Sequence, residues 1–340
     1  MLNSKKKEEN DGLRVKVDSY VVESNVHFSS DVNLLWDAGR KCLDIVGRLV
    51  SGVPKSGWRK HQALRAKLKG DYQKVSRIMS RGGRRREARL IEGVCAYLER
   101  AATLSLRLKS SDGLFSSLAE GSLLNELLYR DLRYYEEMLD KHISLLRRRV
   151  IHKEVIPHEE KVFSLFEAYT RWINKGKSGG RIELGLPVGI ASDQHGFILD
   201  HFVMERESDV DVAVPLGKRL VDDWGRLSSL SFDRGYWSPE NYRRLCYRVD
   251  ELVMPKKGGT NKAEQERESR DSFVRLRCEH AGVESDINAL EHHGLNRCPD
   301  KGLNHFRRYV ALGILSLNLH RLGNLLLLRD RQTTAHRTAA

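Results

Sequence analysis

The first ordered pattern along the chain is a run at residues 13–26 in which Val15, Val17, Tyr20 and Val22 stand out as β-branched or aromatic. A run of this kind predicts a strand buried in a mixed sheet. From about residue 34 to residue 156 the pattern turns helical, with few glycine or proline breaks. It predicts a helix over 32–50, one or two across 58–79, a long one over 84–109 and another over 114–150. Gly82-Gly83 and Ser110-Ser-Asp-Gly113 supply the joints.

After Ile156-Pro157 extended patterns return. Residues 162–173 read as extended, 175–180 as a loop, and 181–192 and 196–204 as two strands joined by the turn Asp193-Gln-His-Gly196. A short helix over 214–224 precedes a strand over 227–232 that ends at Asp233. Ser238 and Pro239 are suited to be N-cap and first residue of a helix over 240–248. A short strand at 251–255, a basic loop at 256–262, and helices over 264–293 and 303–328 follow. The chain therefore reads as α/β, a mixed sheet flanked by helices, with a large all-helical insertion after the first strand. The expected divisions are a lead-in at 1–12, the first strand of the core at 13–33, the helical insertion at 34–156, the remainder of the core at 157–329 and a tail at 330–340.

Charge adds a partner class. The formal net charge is +13 over 340 residues, more than solubility requires, and it favours a polyanion whose counterions are released on binding. Arg77, Arg81, Arg84, Arg85, Arg86 and Arg89, then Arg147, Arg148 and Arg149, are either solvated helix faces or a phosphate-tracking surface. Lys256 and Lys257 add to the basic loop. The five cysteines lack CxxC spacing, so neither a disulfide framework nor a zinc ribbon is implied. A zinc site from Cys278, His280, His292, His293 and Cys298 is disfavoured, because one helix would hold Cys278 and His292 roughly 21 Å apart. Lys177-Ser178 after Gly176 is not a phosphate-binding loop, since Arg171 stands where that motif needs glycine and a strand follows. No apolar leader segment opens the chain. The apolar stretch 309–328 is interrupted by Asn318, His320, Arg321 and Asn324, so it reads as a buried helix and not a membrane span. These features point to a reducing, cytosolic compartment.

Three carboxylates stand out. Asp18 lies inside the buried first strand, where a charge needs a partner. It either caps a bend, pairs with Lys16 or an arginine, or holds a metal. Asp233 ends a strand, where open α/β sheets place ligands. Glu284 lies beside a stripe of Phe273, Leu276, His280, Val283, Ile287 and Leu290 at helical spacing. Three converging carboxylates form a hard-oxygen site for two divalent cations, which can drive in-line phosphoryl transfer.

Five segments carry a resemblance: Val17-Asp18-Ser-Tyr-Val-Val-Glu-Ser-Asn-Val-His27, Ile156-Pro-His-Glu-Glu-Lys-Val-Phe-Ser-Leu-Phe-Glu167, Asp193-Gln-His-Gly-Phe-Ile-Leu199, Ser231-Phe-Asp-Arg-Gly-Tyr236 and His280-Ala-Gly-Val-Glu-Ser-Asp-Ile-Asn-Ala-Leu-Glu-His-His-Gly-Leu295. They resemble, in order, the bacterial insertion-sequence DDE transposases with an RNase H-like catalytic domain, closest to the ISNCY-type group. The resemblance implies that Asp18, Asp233 and Glu284 are the catalytic and metal-binding triad, holding two Mg²⁺ or Mn²⁺ ions. It implies cutting at terminal inverted repeats, attack of the freed 3′-hydroxyl on target DNA, and DNA contacts from the helical insertion. A homodimer in the synaptic complex and a bacterial, nucleoid-associated location without membrane attachment go with it. Related enzymes surround the third acid with Tyr, Arg and Lys; the equivalent positions here hold Arg277, His280 and Glu291. His280 is a candidate phosphate contact or a core histidine, and Trp237, beside Asp233, is a candidate for base stacking, with packing as its plainer role. Trp58 and Trp172 are weaker candidates of the same kind. The family also carries a helical DNA-binding domain before the first strand, so this chain reads as an N-terminally shortened copy with impaired repeat recognition. Two other classes remain open: a non-catalytic DNA-binding or dimerising inhibitor of transposition, and a metal-dependent nuclease without strand transfer.

Overall fold

The computed structural model describes residues 12–53, 55–174 and 182–338, with backbone alone for 333–338. The expected lead-in, the loop at 175–180 and the extreme C-terminus lie outside the described residues. Two compact units divide the chain, one formed by residues 26–168 and the other by residues 1–25 with 169–340.

The unit at 26–168 is helical. It contains α1 (Asp31–Leu49), α2 (His61–Ser80), α3 (Arg86–Ser110), α4 (Asp112–Ala119) and α5 (Leu123–Val150). The Ser30 side chain caps α1 by accepting from the Asn33 amide. Leu35, Ala38, Cys42, Leu43 and Val46 form its buried stripe, packed with Leu68, Tyr97, Leu104 and Leu139 from other helices of this unit. The single helix expected over 114–150 is two. Gly121 takes φ 77°, which L side chains resist, and Ser122 caps a fresh start at α5. Trp58 is fully buried and donates through Nε1 to Ser111, so its role is packing and not base stacking.

The other unit holds a seven-stranded mixed sheet in the order β2-β3-β1-β5-β6, with β4 on β3 and β7 on β1. The strands are β1 (Arg14–Ser24), β2 (Arg171–Asn174), β3 (Ile182–Asp193), β4 (Ile198–Val203), β5 (Ser229–Phe232), β6 (Glu251–Val253) and β7 (Arg297–Cys298). β3 runs antiparallel to β1, β2 and β4 run antiparallel to β3, and β5 and β6 continue parallel to β1. Two-residue periodicity sends Val15 and Val17 into one cluster with Val212, Leu216 and Leu230, and Tyr20 and Val22 into another with Val283, Leu290, Phe306 and Val310. The first cluster lies under α6 (Asp209–Trp224) and α7 (Pro239–Leu245); the second lies under α10 (Gly282–Leu290) and α11 (Leu303–Thr338).

Several expectations are corrected. Of the extended stretch expected at 162–173, only β2 is a strand. The helix expected at 214–224 starts at Asp209, where Ser208 and Asp211 form a capping box, and Pro215 is tolerated within the helix. The helix expected over 264–293 is three: α8 (Lys262–Glu268), α9 (Asp271–His280) and α10, followed by a wide turn at Glu291–Leu295 in which Gly294 takes φ 94°. β7 carries too few residues to leave a pattern. The helix over 309–328 is not buried: α11 is long and apolar enough by length and composition to cross a membrane. Its inner face, Phe306, Val310, Ile314 and Leu317, instead packs on the sheet, and Asn318 brackets the backbone of Ile198 at 3.0 and 2.8 Å.

Register at the β1–β3 seam depends on Gly185. A Cβ there would sit 2.0 Å from the Val22 carbonyl oxygen, whereas one at Gly70 in α2 meets nothing within 4 Å. Gly185→Ala is expected to destabilise the protein by about 3 kcal/mol in urea unfolding, and Gly70→Ala to stabilise it by about 0.5–1 kcal/mol. A neutral Gly185→Ala would show that this register is wrong.

Candidate functional site

Parallel pairing of β1 with β5 aligns Val15 with Leu230, Lys16 with Ser231 and Val17 with Phe232. The next residue on each strand is a carboxylate, so Asp18 and Asp233 arrive side by side where β5 ends, one inter-strand spacing of about 4.8 Å apart along the sheet. Glu284 lies in the first turn of α10, exposed, between the buried residues Val283 and Asp286. The Asp18 carboxyl is pushed up to about 6, first by burial and then by the negative charges of Asp233, Asp209 and Glu284, against one hydrogen bond from the Ser19 amide at 2.7 Å. The three carboxylates singled out from the sequence thus share one electrostatic neighbourhood.

The pairing of Asp18 with Lys16 does not occur. Lys16 turns instead to Asp286, which accepts from Lys16 Nζ at 3.2 Å, from Ser192 Oγ at 2.7 Å and from Arg321 Nη2 at 2.9 Å. Among the described residues no lysine or arginine forms an ion pair with Asp18. Asp286 was missed by sequence reasoning, as it looks like any polar position on a helix. It fastens α10 to β1, β3 and α11, and so sets where Glu284 can reach.

Asp209 was also missed. Ser19 Oγ donates to its Oδ1 at 2.8 Å, bringing the start of α6 to the same strand position as Asp18. The capping-box spacing Ser208-Asp-Val-Asp211 was the signal that could have found this helix start. The Tyr236 phenol, fully buried, is raised by burial and by the charges of Asp209, Asp18 and Asp233. His280 Nδ1 lies 3.0 Å from Ser231 Oγ, and burial holds the ring below its ordinary value against the pull of Asp233 and Glu284. It is therefore a half-buried neighbour of the acidic cluster, tied to β5.

Other predicted contacts fall elsewhere. Trp237 is half-buried with Lys256 Nζ 5.5 Å from its ring centroid, and Lys256 is itself engaged by Glu264 at 2.6 Å. Lys257 is exposed. In the helical unit Arg84, Arg85 and Arg86 are exposed at the joint between α2 and α3, where Arg86 covers the terminal carbonyls Ile78 O and Met79 O. Arg148 is clamped by Glu154 and Glu160, Arg149 is exposed and pairs with Asp31 at 3.0 Å, and Arg147 is exposed as well.

The cluster is a set of hard oxygen donors, suited to Mg²⁺ or Mn²⁺ and unsuited to softer ions. Among the described residues, no three His, Cys, Asp or Glu side chains are close enough together to hold a metal ion jointly. What fits a cation is the charge: a half-buried carboxylate beside three others, with no basic ion-pair partner among the described residues, is stabilised by a divalent ion.

Residues 152–319 match the family model of the transposase DDE domain. The match covers Asp233 and Glu284 and leaves Asp18 and most of the helical unit outside it. Over that segment the chain is similar to DDE transposases. No curated protein and no solved structure matches the chain.

The raised Asp18 carboxyl has a stability consequence. Its folded value lies above its unfolded value, so the stability it contributes is complete below pH 4 and is lost as pH rises through about 6. Metal-free Asp18→Asn is expected to match wild type at pH 4 and to exceed it by on the order of 3 kcal/mol at pH 7.5 in urea unfolding. Equal stability at both pH values would show that Asp18 is not strained by its neighbours.

Proposed function

We propose that the chain is the catalytic core of an insertion-sequence DDE transposase of the ISNCY type, with an RNase H-like sheet. The reading rests on one observation above all: β1 and β5 deliver Asp18 and Asp233 to the same sheet edge, with Glu284 from α10 in the same field. The succession of three antiparallel strands and two parallel ones supports the RNase H-like assignment, and the transposase match over Asp233 and Glu284 supports the chemistry.

Asp18, Asp233 and Glu284 are the residues that would hold two Mg²⁺ or Mn²⁺ ions, which would supply Lewis acidity toward the scissile phosphate. The chain's own residues fix the donors. Strand pairing holds Asp18 and Asp233 in register, and the Lys16–Asp286–Arg321 contacts set α10 so that Glu284 reaches the same edge. His280, neutral and hydrogen-bonded to Ser231, lines the β5 side without adding charge. The substrate is DNA at the element's terminal inverted repeats, cut to free a 3′-hydroxyl that then joins target DNA. The basic helical unit contributes backbone contacts, and two copies act together in a synaptic complex within the bacterial cytoplasm.

The test is cutting of a labelled duplex carrying the element's end, in Mg²⁺ or Mn²⁺ against EDTA, alongside a binding measurement. Wild type is expected to nick only with metal, and Asp233→Asn to lose at least about 100-fold in rate with DNA affinity retained. Folded protein that binds DNA and never cuts it would favour the inhibitor. Cutting without joining of a supplied 3′-end to target would favour the nuclease.

A further inference from the structure

α11 carries two apolar stripes, and the sheet uses only one. The inner stripe, Phe306, Val310, Ile314 and Leu317, is buried against β1 and β3. On the opposite side Leu312, Leu315, Leu319, Leu322 and Leu326 recur at spacings of three, four, three and four, and they are 63, 52, 59, 46 and 51 % exposed. This alternation places them at successive a and d positions of a heptad, the seam by which one helix packs along another. Leu325, Leu327 and Leu328 extend the apolar surface where the helix runs on. The five seam leucines and Leu325 beside them each present about 100 Å², so the face offers on the order of 600 Å², the low end of one partner's contribution to a standard interface.

We infer that this face is where a second copy of the chain docks, through the same stripe of its own α11. Positions flanking the seam decide between a copy of the chain and a charged partner. They are Ser316, Asn318, Gly323 and Leu325, with no charge to select an oppositely charged helix and none to repel an identical one. In a protein of net charge +13 an uncharged strip of this size is where two copies can meet without repulsion. The helix is already folded on the sheet, so association orders little new backbone. A two-fold contact of identical leucine stripes is self-complementary and closes at two copies. The alternative, insertion in a bilayer, requires Arg321 to leave Asp286 and the inner stripe to leave the sheet. The inference gives a location to the two-copy part of the proposed function and does not depend on whether the acidic cluster cuts DNA.

The experiment is light scattering on the full chain at 1–50 µM, for wild type and for Leu315→Glu/Leu319→Glu, with flotation on vesicles of phosphatidylcholine and phosphatidylglycerol. Wild type is expected to be dimeric and vesicle-free. The double variant, changed only at exposed positions, is expected to be monomeric with its circular dichroism and thermal transition retained, a loss of affinity of more than about 100-fold. Leu312→Lys/Leu322→Lys, on the same stripe, is expected to do the same. A monomeric wild type, a dimer that survives both variants, or wild-type protein floating with the vesicles would each overturn the inference. DNA cutting measured on the same samples separates failure at this face from failure of the acidic site.

Discussion

One half-buried carboxylate constrains the sheet unit. Asp18 sits in the central strand, where burial and three neighbouring acids oppose its charge and a single backbone amide supports it. A neutral residue there would fold more easily. The cost is local and of the order of a whole domain's margin for one or two mutations. It persists only because the surrounding contacts hold β1 in place: pairing to β3 along nine residue pairs, parallel pairing to β5, and apolar residues covered on both faces. Stability elsewhere in the sheet is what permits strain at its edge.

A second acid close by shows the contrast. Asp286 is the more deeply buried of the two, yet a lysine, an arginine and a hydroxyl satisfy it. It is a fastening, joining four elements of the sheet unit. Two carboxylates near one another therefore have opposite characters: one is neutralised by the protein, and the other is left to be neutralised from outside. Asp209, bound to Ser19, adds negative charge from α6 to the same edge. The outcome is a concentrated acidic field on a protein that is otherwise strongly basic, the combination needed to gather cations beside a polyanion.

Much of this was legible in the sequence and the rest has clear reasons for being hidden. β1, β3 and β4, the turn at Asp193–Gly196, and the Ser238 cap with Pro239 were readable because alternation and capping chemistry are local. Asp18 and Asp233 were conspicuous as acids in or at the end of apolar strands. What local patterns could not carry was partnership. Lys16 lies two residues from Asp18 yet reaches Asp286, because a lysine on the same strand face extends along the sheet toward α10. Asp209 was hidden by Pro215, which sits inside α6 where a proline usually marks a boundary. The division of residues 264–293 into three helices was hidden because the core-facing stripe continues through the kinks, with Phe273 and Leu276 buried in α9 and Val283 and Leu290 in α10. The two faces of α11 look like one buried helix until the sheet is seen to cover only one of them.

The central proposal is that strand register and α10 bring Asp18, Asp233 and Glu284 into one acidic field that draws in a divalent cation. Its most direct test is Mn²⁺ titration of the DNA-free protein followed by electron paramagnetic resonance, for wild type, Asp18→Asn and Glu284→Gln. The account predicts saturable Mn²⁺ binding to wild type, displaced by Mg²⁺ and weakened at least tenfold by either substitution. Binding that ignores both substitutions, or no binding by folded wild type, would contradict it.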